Sequence, residues 1–275
     1  MSEMQRQSFN RFNTGRGRVG GSLILALIIA GITLFRYCST SSYNEYLGIN
    51  QHVSITPDQE IAIGLNNRPA MIEEFGGPDP DVNDQQLVRE VGNHLVRSSV
   101  ASKTPYKFEF HLLADPRTVN AFALPGGQIF ITRALFSQLT NEDQLAGVLG
   151  HEIGHVIGRH AGERMEKDQL LTGLAGAAGV AMGDQQSAQM AQQFAALIGL
   201  SYGRDQELQS DELGVKFMID AGYKPEALID VMEILKRASG GASRPEFTSS
   251  HPDPENRKQK IEEAIARYRN PPAAN

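Results

Sequence analysis

Residues 144–156 read QLAGVLGHEIGHV, a mostly apolar run that carries two histidines four positions apart. Small and apolar residues on every side predict a helix buried in the core of a domain. Positions i and i+4 of a helix lie one turn apart on the same face, so His151 and His155 can bind one ion. Imidazole rings without a polar partner in a buried helix would destabilise the fold, and a bound metal removes that energetic cost. The run therefore predicts a zinc site; the alternative is two ordinary polar residues on a helix.

Glu152 follows the first histidine and is predicted to point beside the ion rather than at it. A carboxylate in that position can take the proton of a water whose pKa the zinc has lowered. With three protein ligands the fourth coordination position stays open, as in catalytic rather than structural zinc sites. We predict one Zn²⁺ per chain and a hydrolase of peptide bonds in which Glu152 is the general base.

The third ligand separates the possible classes of zinc peptidase. The metzincin pattern would put a third histidine at position 161, which is Ala161, and His160 comes one residue early. The alternative is a glutamate on a later helix. Glu207 fits, because Asp211 lies one turn further along the same face and can orient a ligating histidine through its free ring N–H. We predict Glu207 as the third ligand and Asp211 as an outer partner; an ordinary acidic helix face is the alternative.

Four stretches, in the same order, resemble the membrane-associated zinc metallopeptidases that include the CAAX prenyl protease, HtpX and the Oma-type quality-control peptidases. They are residues 120–132 (NAFALPGGQIFIT), 151–160 (HEIGHVIGRH), 207–211 (ELQSD), and Ser250-His251-Pro252 with Arg257. Ser210 stands where this family usually has alanine. The resemblance implies an α+β, mostly helical fold: a gluzincin-type metallopeptidase domain with a small β-sheet beside the active-site helix. It also implies quality control of misfolded membrane or envelope proteins.

The same resemblance places the His-Pro element near the metal. His251 is then the candidate for a second catalytic residue, which donates a hydrogen bond to the tetrahedral oxyanion. Two alternatives are that its imidazole fills the open coordination position and holds the enzyme shut, or that it is a turn histidine without a role. Arg257 is predicted to support this site from outside the ligand set; binding of a substrate carbonyl and a surface position on the last helix are the alternatives.

Residues 128–132 (QIFIT) alternate in polarity with the period of a β-strand. At a sheet edge above the zinc, such a strand can pair with an extended substrate through main-chain hydrogen bonds. We therefore predict Gln128, Ile129, Phe130 and Ile131 as substrate-binding residues; an ordinary core strand is the alternative. Because this mode reads shape more than side chains, the predicted substrates are unfolded or misfolded polypeptides.

Residues 19–35 contain no charged side chain, and 17 residues at 1.5 Å each reach about 25 Å, enough to cross a bilayer with little tilt. Four arginines and one glutamate precede them, so the N-terminus is predicted to be cytoplasmic. The expected protein crosses the lipid bilayer once, with an extracytoplasmic catalytic domain that is periplasmic in a bacterium. Arg36-Tyr37-Cys38 offers no small-residue cleavage site, which favours a signal anchor over a cleaved signal.

The formal charge is −6 over 275 residues, and it becomes −10 without residues 1–36, which carry five arginines and one glutamate. An acidic domain argues against nucleic acid as a partner. Cys38 is the single cysteine, so no internal disulfide can form. The sequence does not indicate an oligomeric state.

We predict five segments along the chain. They are a basic cytoplasmic N-terminus (1–18), a transmembrane signal anchor (19–35), a juxtamembrane linker (36–55), a zinc metallopeptidase domain (56–270) and a flexible tail (271–275). Thr56-Pro57-Asp58-Gln59 predicts a helix start. Residues 161–202 fit either a lid or membrane-resting hairpin, or a pair of packed helices; their apolar part, 170–182, is too short for a second span.

Two other functions fit parts of the pattern. One is a non-proteolytic chaperone or scaffold that keeps the zinc fold and binds unfolded chains. Glu152 argues against it, because a binding protein has no use for a general base. The other is a zinc exopeptidase, which needs an acidic pocket for the free amine that the sequence does not locate.

Overall fold

The structure, a computed structural model, describes residues 16–182, 203–238, 251 and 256–270. The predicted tail, the basic residues before 16, the later part of the 161–202 segment, Ser250 and Pro252 lie outside the described residues. The chain divides into two compact units, residues 1–39 with 167–198 and residues 40–166 with 199–275.

The described elements are mostly helical, with two small sheets. The helices are α1 (Arg16–Ser39), α2 (Pro57–Glu74), α3 (Val82–Ser98), α4 (Arg133–Phe136), α5 (Glu142–Ile157), α6 (His160–Met182), α7 (Arg204–Asp220), α8 (Ala227–Ala238) and α9 (Arg257–Arg269). The strands are β1 (Ser41–Asn44), β2 (Ile49–His52), β3 (Glu109–Leu113), β4 (Ala121–Leu124) and β5 (Gln128–Thr132). The predicted α+β, mostly helical fold with an apolar N-terminal helix is confirmed.

The first unit contains an exposed apolar helix. Within the described residues, Gly21–Ser39 is the helix long and apolar enough to cross a membrane, and Leu27 and Phe35 are 66% and 77% exposed. This helix fits a membrane anchor. Part of α6 packs along it: Arg36 Nη2 donates to Gln169 Oε1 at 2.8 Å, and the side chain of Thr33 lies against Gly173. The described part of segment 161–202 is therefore a packed helix.

The second unit begins with a short β-hairpin, β1 paired antiparallel with β2. The side chain of Asn44 donates to the carbonyl of Ile157 at 3.0 Å, and that of Gln51 donates to the carbonyl of Gly158 at 2.6 Å. The segment 36–55, predicted as a linker, thus includes an ordered hairpin that satisfies carbonyls at the end of α5. Its strands are polar and four residues long, so no periodic pattern indicates them.

The second sheet has the order β3-β5-β4, with β3 parallel and β4 antiparallel to β5. All five residues of β5 are buried. The prediction that Gln128, Ile129, Phe130 and Ile131 form a substrate-pairing edge is wrong, because both edges of β5 are already hydrogen-bonded to neighbouring strands. Alternating polarity identifies a strand, but it does not tell a central strand from an edge strand. The edge nearest the site is β4.

Helix α2 begins as predicted: Thr56 and Gln59 form a capping box, with Pro57 in the first helical position. The core of the second unit lies between the sheet and the helices α3, α5, α7, α8 and α9. Helix α5 is buried from Gln144 to Ile157. Its polar side chains therefore have to find their partners inside the protein.

Candidate active site

Helices α5 and α7 approach so closely at Gly154 that only glycine fits there. A Cβ built on Gly154 would lie 2.9 Å from the Cα of Ser210, and one built on Gly150 would lie 3.4 Å from the Cα of Gly214. This contact brings Glu207, one turn before Ser210, to the face of α5 that carries the histidines. The small residues of the 144–156 run therefore allow the two helices to pack closely, and they also allow α5 to be buried.

Four side chains converge at this contact with atoms that could hold a metal. Nε2 of His151 lies 3.0 Å from Nε2 of His155, and each is 3.5 Å from a carboxylate oxygen of Glu207. Nδ1 of His251 is 3.0 Å from Glu207 Oε1 and 3.4 Å from His151 Nε2. A tetrahedral zinc with bonds of about 2.0–2.2 Å separates its ligand atoms by roughly 3.4 Å. The buried cluster therefore fits a zinc ion.

The charge states of the cluster suit a cation. Burial raises the pKa of Glu207, but His251 and the hydrogen bond to His151 outweigh it and hold that pKa well below its usual range. Burial and the charge of His151 hold the pKa of His155 well below its usual range, so this ring is neutral. Burial lowers the pKa of His151. The hydrogen bonds to Asp211 and Glu207 outweigh that effect and raise the pKa to about 9. A metal bound there takes the place of that proton.

Asp211 and Arg257 lie behind His151. Asp211 Oδ1 is 2.8 Å from His151 Nδ1, and Arg257 binds both oxygens of Asp211, at 2.6 and 2.9 Å. Arg257 is only 3% exposed, so it is not a surface residue of the last helix. Burial raises the pKa of Asp211, but the charge of Arg257 and the hydrogen bond to His151 lower it by more than burial raises it. The carboxylate therefore stays ionised. Such partners fix the orientation of a metal-binding ring.

Glu152 is completely buried beside the cluster. Within the described residues, neither carboxylate oxygen has a hydrogen-bond partner, and the nearer nitrogen of His251 is 3.8 Å from Oε1. Burial raises the pKa of Glu152, and the neighbouring His251 and His151 lower it less. A buried carboxylate without a partner is costly. It indicates a position that faces a polar ligand, such as a water in the site.

The structure brings together most of the predicted site residues and adds one. His151, Glu152, His155, Glu207, Asp211, His251 and Arg257 form one buried group, whereas Gln128, Ile129, Phe130 and Ile131 lie in the centre of the sheet. His160, rejected as a ligand on spacing, is also buried, and its Nδ1 lies 2.9 Å from Nδ1 of His155. Burial lowers the pKa of His160 to about 4, so the ring is neutral. Sequence spacing gave no signal for an outer partner.

The strand β4 and the turn after it lie beside the site. Ala123, Leu124 and Pro125 line a small recess of about 10 Å³ together with Glu60, Val156, Ala161, His155 and Arg159. The recess therefore connects the edge strand of the sheet with a metal-binding histidine.

Several curated proteins are similar to this chain. The Beta-barrel assembly-enhancing protease of Yersinia pestis is 30% identical over 235 residues, which cover 77% of this chain and 45% of the relative. The protein of that name from Escherichia coli K12 is 29% identical, covering 85% of this chain and 50% of the relative. The Mitochondrial metalloendopeptidase OMA1 of Schizosaccharomyces pombe is 31% identical, covering 60% and 49%. The chain spans about half the length of these relatives.

The family model described as Peptidase family M48 matches residues 83–265, well over half of the chain. That range includes every predicted metal-binding residue and Asp211 and Arg257 as well. The resemblance to Oma-type metallopeptidases is confirmed by this match and by the similarity to OMA1. The geometry of the buried cluster suits the zinc that M48 peptidases use. This chain belongs to peptidase family M48, a family of zinc metallopeptidases.

Proposed function

We propose that this chain is a zinc-dependent endopeptidase with His151, His155 and Glu207 as metal ligands and Glu152 as general base. One observation carries the proposal: a completely buried glutamate without a hydrogen-bond partner among the described residues lies beside four buried metal donors. A structural zinc site needs no such carboxylate. A scaffold that only binds unfolded chains does not need it either.

Zinc held by these donors supplies a Lewis acid that lowers the pKa of water and polarises a carbonyl group. Glu152 accepts the proton of the attacking water on a carboxylate oxygen and later delivers it to the leaving amine. Asp211 and Arg257 hold the ring of His151 in place. Burial of Glu152 favours this exchange, because its raised pKa makes the carboxyl a better proton acceptor at neutral pH.

We propose that in the resting enzyme His251 would hold the ion as a fourth donor, together with His151, His155 and Glu207. Its Nδ1 completes a set of four donors with His151, His155 and Glu207, and a closed set of four is typical of structural rather than catalytic zinc. Catalysis then requires His251 to move away. This geometry favours the inhibitory role over the role of oxyanion donor.

The variant His251→Ala separates the two roles, because they predict opposite changes in the cleavage rate. We expect a rise, which reaches about 10-fold if the open state is about one-tenth populated in the parent enzyme. Loss of an oxyanion donor would instead lower the turnover rate by about 100-fold or more. The rate is measured on a fluorogenic peptide at saturating zinc. A fall in rate with full zinc occupancy would contradict the inhibitory role.

We propose β4 as the strand that pairs with substrate. Among the described strands, β4 pairs with β5 alone. The carbonyl of Asn120 accepts a hydrogen bond from Thr132 N at 3.0 Å, so by antiparallel alternation Ala121 and Ala123 direct their backbone groups away from β5. Main-chain pairing reads extended conformation, which supports unfolded or misfolded polypeptides as substrates.

The proposed location is a membrane surface, with residues 19–35 in the lipid bilayer, the N-terminus cytoplasmic and the peptidase domain on the other side. The exposed apolar helix and the arginines before it support this topology. The relatives are named for β-barrel assembly and for mitochondria. We therefore propose misfolded membrane or envelope proteins as the physiological substrates.

The proposed function is tested with the full chain purified in detergent and unfolded casein as substrate. We expect internal cleavage, which 1,10-phenanthroline abolishes and added zinc restores. Fragment masses distinguish an endopeptidase from an exopeptidase, which removes residues only from a terminus. A zinc-loaded chain that binds casein without cleaving it would support the scaffold instead.

A further inference from the structure

His160 lies directly behind one of the proposed metal ligands. Its Nδ1 is 2.9 Å from Nδ1 of His155, and its side chain is completely buried. Nε2 of His155 faces the metal-binding cluster, 3.0 Å from Nε2 of His151. The contact therefore joins the outer nitrogen of a metal-binding imidazole to a second imidazole.

Gln209 determines which nitrogen of His160 carries the proton. Nε2 of His160 lies 3.0 Å from Oε1 of Gln209, and an amide oxygen only accepts hydrogen bonds. Nε2 of His160 is therefore the donor, and Nδ1, which faces His155 and lies 3.2 Å from Ser210 Oγ, is left as the acceptor. His155 then carries its proton on Nδ1, which leaves the lone pair of its Nε2 for the metal.

The backbone between the two histidines brings the rings together. Arg159 has a φ of 56°, in the left-handed region that residues with a side chain rarely adopt. Its guanidinium donates to Glu60 at 3.0 Å and to the carbonyl of Ile55 at 2.5 Å. This residue separates α5 from α6, so α6 begins at His160. Gly158 leaves space for the ring, because a Cβ there would lie 2.3 Å from Nε2 of His160.

We propose that His160 is a positioning residue of the metal centre, which holds His155 in the tautomer that binds zinc. This inference rests on the proposed zinc-peptidase function, since it concerns the same metal. The two histidine ligands then have different supports, the carboxylate of Asp211 behind His151 and a neutral imidazole behind His155. An imidazole acceptor orients the ring without adding a fourth carboxylate to the site.

The test is the zinc affinity of the full chain in detergent, measured by competition with a fluorescent chelator. We expect His160→Leu, which fills space but accepts no hydrogen bond, to weaken zinc binding by about 10- to 100-fold. His160→Asn puts an amide oxygen near the position of Nδ1 and should recover most of the affinity. His94→Leu is the matched control, because His94 hydrogen-bonds the carbonyl of Ala221 instead, and it should bind zinc as the parent chain does.

A second measurement needs no variant that could misfold. Nitrogen NMR of histidine-labelled, zinc-loaded chain should show the proton of His160 on Nε2 and that of His155 on Nδ1. A proton on Nδ1 of His160 would overturn the proposal, and so would parent-like zinc affinity in His160→Leu or equal weakening in His160→Asn. If the chain shows the expected tautomers and affinities but cleaves nothing, the peptidase function fails and the positioning role stands.

Discussion

Replacing Glu152 with glutamine lowers the rate of peptide cleavage by about 100- to 10,000-fold, while the zinc content stays at one ion per chain. Glutamine keeps the size of the side chain but cannot accept a proton from water. The proposed ligands are other residues, so the metal stays bound. The measurement is the cleavage rate of a fluorogenic peptide beside the zinc content of the same preparation.

The matched control for this variant is Glu142→Gln, which makes the same change in the first turn of α5, where the side chain is exposed. It should cleave at the rate of the parent chain. Cleavage by Glu152→Gln at a rate within a few-fold of the parent, with zinc bound, would defeat the proposed mechanism. Loss of zinc from this variant would instead assign Glu152 to the ligand set.

Replacing Glu207 with glutamine removes both zinc and activity. The carboxylate is completely buried and lies between two imidazoles, where its charge balances that of the cation. An amide can offer one neutral oxygen only. We expect zinc affinity to fall by more than the roughly 100-fold that the loss of an outer partner can cost.

The zinc content after dialysis and the chelator-competition constant measure this effect, and circular dichroism checks the fold. The control is Glu212→Gln on the same helix, a partly exposed residue that pairs with Arg267 and Tyr268 away from the metal donors. It should keep its zinc. Full zinc occupancy in Glu207→Gln would show that this glutamate is not a ligand, and the third donor would have to be sought elsewhere.

The site could be predicted largely from sequence because its parts follow the period of a helix. His151 and His155 are one turn apart, and so are Glu207 and Asp211, so two short patterns on two helices contain most of the chemistry. What the patterns do not contain is how closely those helices meet. That distance depends on Gly154 and Ser210, whose backbones touch.

The sheet and the hairpin show where such predictions stop. A five-residue strand looks the same in sequence whether it lies at an edge or in the centre, and β5 is central because β3 and β4 pair with it. The hairpin β1–β2 is held by side-chain bonds to α5, more than a hundred residues away in the chain. Pairings between distant segments leave little trace in local periodicity.

His160 was missed for a different reason. Its position is set by the left-handed backbone of Arg159, and sequence spacing assumes that a helix continues undisturbed. On a continuous helix, His160 would lie off the face of His155. The break between α5 and α6 turns its ring back against that histidine.

The bidentate contact of Arg257 with Asp211 has a consequence for biosynthesis. Arg257 is made 106 residues after His151, the ring that this pair supports. At about 5–20 residues per second, the ribosome needs roughly 5–20 s to cover that interval. During this time the nascent chain contains the H-E-x-x-H segment but not the arginine that supports His151 through Asp211. The support of His151 through Asp211 can therefore be completed only after residue 257 has been added to the chain.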